Sequence, residues 1–152
     1  MDFLIGLFTN KVFLAPAGGW FVAQLLKVII DSVKSGFSFE RLIGGGGMPS
    51  SHAATVTGLT GICAAIFGPG SYEFAVSLLF TFIVIYDARG VRYETQRQGR
   101  ALNNLNYERK EEGKQPLDVN KFKEQIGHTI PELIVGIIIG AISAVVVYHL
   151  PF

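Results

Sequence analysis

"PELIVGIIIGAISAVVVYHL", residues 131–150, decides what kind of protein this is. It has one acid at its start and one histidine near its end, with no charge between them. At a rise of 1.5 Å per residue, such a stretch covers about 30 Å, the thickness of a bilayer's hydrocarbon core, so it reads as a transmembrane helix. Three further apolar blocks precede it, at about 3–33, 53–67 and 74–86. Two of these, "AATVTGLTGICAAIF" and "FAVSLLFTFIVIY", are short enough to pass for core helices of a soluble protein. Beside a full-length span, and with so little polar sequence to cover them, a membrane is the better reading. The pattern predicts an all-α integral membrane bundle of about four transmembrane helices, in a single membrane domain over 1–152. The spans fall near 12–33, 51–67, 73–90 and 130–150, with a cytoplasmic, basic helical loop at about 91–127 between helices three and four.

Charge distribution orients the bundle. Of thirteen Lys and Arg residues, only Lys11 and Lys27 lie outside two segments: the link after the first helix (Lys34, Arg41) and the stretch from Arg89 to Lys123. "GPGSYE", residues 68–73, carries none. The positive-inside rule therefore predicts the glycine loop and the long basic loop in the cytoplasm of a multi-pass cell-membrane protein, with Lys11 the one counter-vote. The long loop continues the third span as a helix until Gly113 and Pro116, and a short second helix is expected from about Asp118. Arg89, Arg92, Gln96 and Arg100 recur at helical spacing and predict a cationic stripe. For Arg97, Arg100 and beyond, a solvated face near anionic headgroups explains the charge equally well. Arg89 and Arg92 sit where the apolar block ends. Asp2 at the start argues against a cleavable signal, and the lone Cys63, inside an apolar block, reads as a small core residue.

Four polar clusters fall on the predicted cytoplasmic face. The first helix carries Gln24, Lys27, Asp31 and Lys34 on one stripe. Either Lys27 and Asp31 neutralise one another, or Lys27 meets an anion in a hydrated cavity. "GGGGMPSSHAATVTG", residues 44–58, runs a glycine-rich turn into a helix N-terminus, where exposed N–H groups and the helix dipole favour an anion. It is no Walker A loop, because no Gly-Lys-Ser/Thr follows the glycines. Ser50 or Ser51 serves as a plain N-cap on the simplest reading; His52, one turn into a membrane helix, has no comparably cheap explanation. "YDARGVR", residues 86–92, offers Asp87 to pair with Arg89, or leaves one guanidinium free to clamp a phosphate. In "GHTIPELIVG", residues 127–136, Thr129 and Glu132 fit a capping box with Pro131 in the first turn. That leaves His128 unexplained. Glu132, four residues on, is within helical reach of its ring and would fix its tautomer. Two histidines, cations, hydroxyls and a glycine nest together have the chemistry of a phosphate site with a nucleophile and an acid.

These residues resemble a known family. "PSSH", followed later by His-x3-Glu, is similar to the type-2 phosphatidic acid phosphatase superfamily, and most closely to its divergent branch of small membrane proteins. The superfamily pattern is Lys-x6-Arg-Pro, then Pro-Ser-Gly-His, then Ser-Arg-x5-His-x3-Asp. The resemblance covers nearly the whole chain through "GGMPSSHAA", "DARGVR" and "GHTIPE". It implies His128 as the nucleophile that forms a phosphohistidine, Glu132 as its supporting carboxylate, and His52 as the general acid. Phosphate ligands would be Lys27, Gly47 in the glycine turn, Ser50, Ser51 at the family's Gly position, and Arg89 or Arg92. No metal and no cofactor are implied. The chain departs from the pattern in three places. No Arg-Pro follows Lys27 at the family spacing, Glu replaces Asp, and more than thirty residues separate Arg92 from His128.

The residues and the resemblance together predict a metal-independent, acid-phosphatase-type hydrolase acting on a phosphate or diphosphate monoester. A membrane location and a basic rim favour a phosphorylated lipid as substrate, and nothing suggests nucleic acid. The alternative is a non-catalytic membrane protein that binds or transports a phosphorylated lipid. A purely structural bundle accounts poorly for His52 and His128 together. Gly136, Gly140 and Ala144 give the last helix a small-residue face. Its partner is a helix of the same chain or of a second copy, and so thin a bundle leaves a homo-oligomer open.

Overall fold

The computed structural model describes residues 2–35, 46–117, 121–124 and 126–151. Arg41, Gly44, Gly45 and Asp118 lie outside these, as does the side chain of Lys34. The described residues form six helices and no strand: α1 (Asp2–Phe8), α2 (Lys11–Ser35), α3 (Ser51–Phe67), α4 (Tyr72–Arg89), α5 (Val91–Glu111) and α6 (Ile130–Tyr148). By length and composition, α2, the α4–α5 rod and α6 are apolar enough to cross a membrane; α3 is shorter. The protein is a helical membrane bundle.

Side-chain oxygens start the helices that follow turns. The Ser50 and Ser71 hydroxyls accept the N–H groups of Ala53 and Phe74 at 3.3 and 3.1 Å. The α6 N-terminus is closed by the Thr129–Glu132 capping box, in which a Glu132 carboxylate oxygen accepts the Thr129 N–H at 3.1 Å.

α3 sits at the centre and touches α2, α4 and α6. Glycine and alanine allow this. A Cβ at Gly19 would lie 2.9 Å from the Ala54 carbonyl oxygen and 3.5 Å from the Gly140 Cα, and one at Gly58 would lie 3.0 Å from the Ala15 carbonyl. A Cβ at Gly140 would collide with the Ala54 carbonyl, and one at Gly136 with that of Ser50. Three backbones thus meet almost directly, which is how helices gain contact when lipid is as apolar as leucine. The small face of α6 therefore has its neighbour within the same chain. Large apolar side chains point the other way: Trp20, Phe21, Phe82, Ile83, Ile138 and Ile142 are exposed, while Ala15, Ala53, Ala54 and Ile62 are fully buried. Lipid covers that outer surface in a membrane bundle.

Polar groups within the bundle are tied off across helices. The hydroxyls of Thr60 and Thr81, 2.7 Å apart, reach the carbonyls of Ser77 and Val56 at 3.0 Å each. Ser143 donates to the Ala15 carbonyl at 2.8 Å. Lys11 donates to the carbonyls of Tyr148 and Leu150 at 3.0 and 2.7 Å. The one basic residue that runs against the charge asymmetry is thus a C-terminal cap for α6, where a cation complements the helix dipole.

The third span does continue as helix to Glu111, but it is interrupted at Gly90 (φ −85, ψ −86). The short helix expected from Asp118 is not seen in its described part, since Lys121–Glu124 is irregular.

Candidate functional site at one end of the bundle

The antiparallel order brings the C-terminal halves of α2 and α4 to the same end as the N-termini of α3 and α6. Two helix dipoles therefore present their positive ends there. Lys27, on α2, is 1% exposed, and its Nζ has no hydrogen-bond partner among the described residues. Asp31, one turn further on, and Glu132 from α6 act on it only through their charge. The neutralising Lys27–Asp31 contact that the spacing allows is thus not made as a hydrogen bond. The glycine-rich segment lies over this lysine. Gly47 has φ +96, a left-handed conformation natural only to glycine, and a Cβ there would sit 3.9 Å from the Lys27 stem and 3.8 Å from the Asp31 carboxylate.

Ser50 and Ser51 are both buried. The Ser50 hydroxyl caps α3, and its N–H donates to the Glu132 carbonyl at 3.0 Å, stitching the starts of α3 and α6 together. That stitch sets His52, in the first turn of α3, against His128, just before α6. Their ring centroids are 5.8 Å apart, edge to face at 62°.

His128 is completely buried. Its N–H donates to the Ala88 carbonyl at 3.0 Å, immediately before the Gly90 interruption, so the end of α4 anchors the residue directly. Its Nδ1 lies 3.1 Å from the Glu132 carboxylate oxygen that also accepts the Thr129 N–H. A carboxylate can only accept, so Nδ1 carries a proton, and in the neutral ring Nε2 keeps the lone pair. That Nε2, like Nδ1 of His52, is buried with no partner among the described residues.

Arg92 and Asp87 form an ion pair at 2.6 Å, Nε to Oδ2, with both side chains a little over 40% exposed. Both charges bear on His52, as does that of Lys27. Arg89 instead stacks on the ring of Tyr93, 4.6 Å from its centroid. The sequence offered Arg89 as the partner of Asp87; the interruption at Gly90 turns the helix between them and gives that place to Arg92. The expected cationic stripe is not uniform either: Gln96 is buried under the Ile126–Gly127 segment, while Arg100, one turn on, is exposed.

The structure thus gathers Lys27, Gly47, Ser50, Ser51, His52, Arg92, His128 and Glu132 at one end, with Arg89 at the margin. Spacing alone missed Gln96, whose carbonyl accepts the N–H groups of Ile126 and Gly127 at 3.3 and 3.2 Å. A signal was present, because Gln96, Gly99, Asn103 and Asn106 stand three, four and three apart on one face of a charged helix.

A membrane bundle with two facing histidines, a buried lysine and an arginine–carboxylate pair at one end is the class that fold and site define. The chain belongs to the divergent PAP2 family, whose model matches residues 8–143, and is accordingly a phosphatase-related membrane protein. It is 38% identical over 100 residues to the "Uncharacterized membrane protein YuiD" of Bacillus subtilis (strain 168). That alignment covers 65% of this chain and 63% of the relative. No solved structure matches.

Proposed function

We propose that this protein is a metal-independent phosphatase hydrolysing a phosphate or diphosphate monoester of a lipid through a phosphohistidine, with its site on the cytoplasmic face. The observation that carries the reading is the set of three buried nitrogens without partners, Lys27 Nζ, His52 Nδ1 and His128 Nε2, around one facing pair of rings. Leaving such groups unpaired is costly, and a tetrahedral anion with several acceptor oxygens answers the lysine and an imidazolium together.

The chemistry assigns each residue a task. His128 Nε2 attacks phosphorus, forming the P–N bond, while the P–O bond to the lipid breaks and its electron pair goes to the leaving oxygen. His52, protonated, gives that oxygen its proton. Water then attacks phosphorus and breaks the P–N bond. His52 takes the water's proton, and His128 returns to its starting state as inorganic phosphate leaves. Glu132 holds the Nδ1 proton and stabilises positive charge on the ring throughout. Lys27 and Arg92 hold the equatorial oxygens. The apolar outer surface brings a lipid-borne ester to the end of the bundle.

The deciding experiment is phosphate release by the detergent-purified protein, without added metal, over a panel of lipid phosphates and diphosphates. Turnover is expected. Tight binding of the same lipids with no turnover would replace this reading with the binding or transport protein. His52→Ala is expected to slow release from an alkyl phosphate by roughly 10²–10⁴-fold, the range of general-acid catalysis. On p-nitrophenyl phosphate, whose leaving group needs little protonation, the same variant should lose far less. Equal losses on both esters would deny His52 the role of acid.

Lys27→Met is expected to weaken inorganic phosphate binding roughly 10- to 100-fold, the ~1.5–3 kcal/mol of a charge-assisted hydrogen bond. Its melting temperature in detergent should stay level or rise, because a buried ammonium without a hydrogen-bond partner is replaced by an apolar chain of similar length. A lower melting temperature with unchanged phosphate affinity would make Lys27 a structural residue.

A further inference from the structure

In the superfamily pattern an arginine and the nucleophilic histidine are close in sequence; here a long excursion lies between Arg92 and His128, and something must return the chain to the same place. The described part of the returning segment is irregular and has no helix of its own to align it. It runs antiparallel along α5, held by side-chain amides. Asn106 Oδ1 accepts the Leu117 N–H at 2.8 Å. Asn103 accepts the Phe122 N–H at 2.9 Å and donates to the Phe122 carbonyl at 3.0 Å and the Glu124 carboxylate at 2.6 Å. Gln96 closes the series with the two N–H groups of Ile126 and Gly127.

The last rung differs from the others in place and burial. Gln96 is 7% exposed, whereas Asn103 and Asn106 are only half-buried. Its two bonds fall on the residues directly before His128. There the chain presses on α5 so closely that a Cβ at Gly127 would collide with the backbone of Arg92 and Tyr93. One residue later the His128 N–H meets the Ala88 carbonyl. Two acceptors, Gln96 Oε1 and Ala88 O, thus hold three successive N–H groups, and that grip sets where the imidazole stands relative to His52 and Arg92.

We propose that Gln96 is a positioning residue for His128: by accepting the N–H groups of Ile126 and Gly127 it fixes the register of the returning segment on α5, and with it the place of the imidazole beside His52. The seating of His128 stands on geometry alone; its effect on turnover rests on the phosphatase reading above. A glutamine carbonyl suits the task because it reaches one side chain's length from the helix and has two lone pairs for two donors.

The test compares Gln96→Leu, which keeps the volume and removes the acceptor, with Gln96→Glu, which keeps an acceptor in the same place, and with Asn106→Ala at the far end of the series. All are made in the full chain in detergent. In Gln96→Leu, amide hydrogen exchange at Ile126 and Gly127 should quicken at least about tenfold, and the His128 ring ¹⁵N resonances should shift. Turnover number should fall roughly 10²-fold, the usual consequence of misplacing a reacting group by about 1 Å, with KM changed little. Gln96→Glu should restore protection, resonances and turnover, and Asn106→Ala should stay within about twofold of wild type in turnover. Unaltered exchange and ring resonances in Gln96→Leu would overturn the proposal, as would equal damage from Gln96→Leu and Gln96→Glu. Exchange and ring resonances read the seating whether or not the protein turns over. A wild type that binds lipid phosphates without hydrolysing them therefore sinks the phosphatase reading and still leaves Gln96 to be judged.

Discussion

His128→Ala is expected to lower phosphate release by at least about 10³-fold, the largest catalytic loss of any single substitution here, because in the proposed mechanism it removes the atom that bonds to phosphorus. The geometry singles out this histidine over its neighbour. Glu132 engages its Nδ1 and leaves the lone pair of the neutral ring on Nε2, which is buried without a partner among the described residues, whereas no carboxylate hydrogen bond to the His52 ring is found among them. The ring is fully buried, so its removal also opens a cavity. That cavity makes a second measurement possible: imidazole added to the variant should enter and restore part of the turnover. The same addition should do nothing for Glu132→Gln, which keeps the ring and loses the carboxylate. Wild-type incubated with substrate and quenched in alkali should carry phosphate on His128, since a P–N bond survives base and is cleaved by acid. An undiminished rate in His128→Ala, or base-stable phosphate retained in that variant, would remove His128 from the mechanism.

Gly140→Val is expected to destabilise the bundle by at least about 3 kcal/mol, at the upper end of what overpacking costs. The obstacle is a backbone carbonyl, that of Ala54, on the central helix. A carbonyl fixed in the backbone of α3 cannot turn aside as a long side chain would, so α3 and α6 must separate. Separation also loosens Gly19 and Gly58, which share the same crossing. Cys63 provides the readout, being buried in α3 and the only cysteine of the chain. Its reaction with a thiol reagent should be slow in wild type and fast in Gly140→Val, in step with a lower melting temperature. Gly70→Ala, at a position with nothing within 4 Å of a Cβ, should leave both unchanged. Equal protection of Cys63 in Gly140→Val and wild type would mean that the three backbones do not meet as described.

The site depends on that packing, since the stitch from the Ser50 N–H to the Glu132 carbonyl lies one helical turn from the Gly136 contact. A substitution that parts α3 from α6 therefore also parts His52 from His128. Loss of activity in Gly140→Val would follow from loss of structure, and only the His128 and His52 variants address the chemistry itself.

Much of the local structure was legible in the sequence. Uninterrupted apolar length declares a membrane helix, because an unpaired backbone amide cannot be left in hydrocarbon. Ser50 and the Thr129–Glu132 box announce helix starts, and the same box turns Glu132 back to His128, just ahead of the helix. All of these are relations within a few residues, where helix geometry sets the distance whatever the rest of the chain does. Only the tertiary structure decided the others. Lys11 caps the far end of α6, the small face of α6 meets α3 of its own chain, and Asp87 takes Arg92 in place of Arg89 because the helix is interrupted between them. Gln96 looked like one polar member of a basic stripe and is a buried acceptor for residues thirty positions away. Spacing along one helix cannot name a partner on another, because that partner is chosen by how closely backbones approach. In this chain glycines at the helix crossings permit that approach.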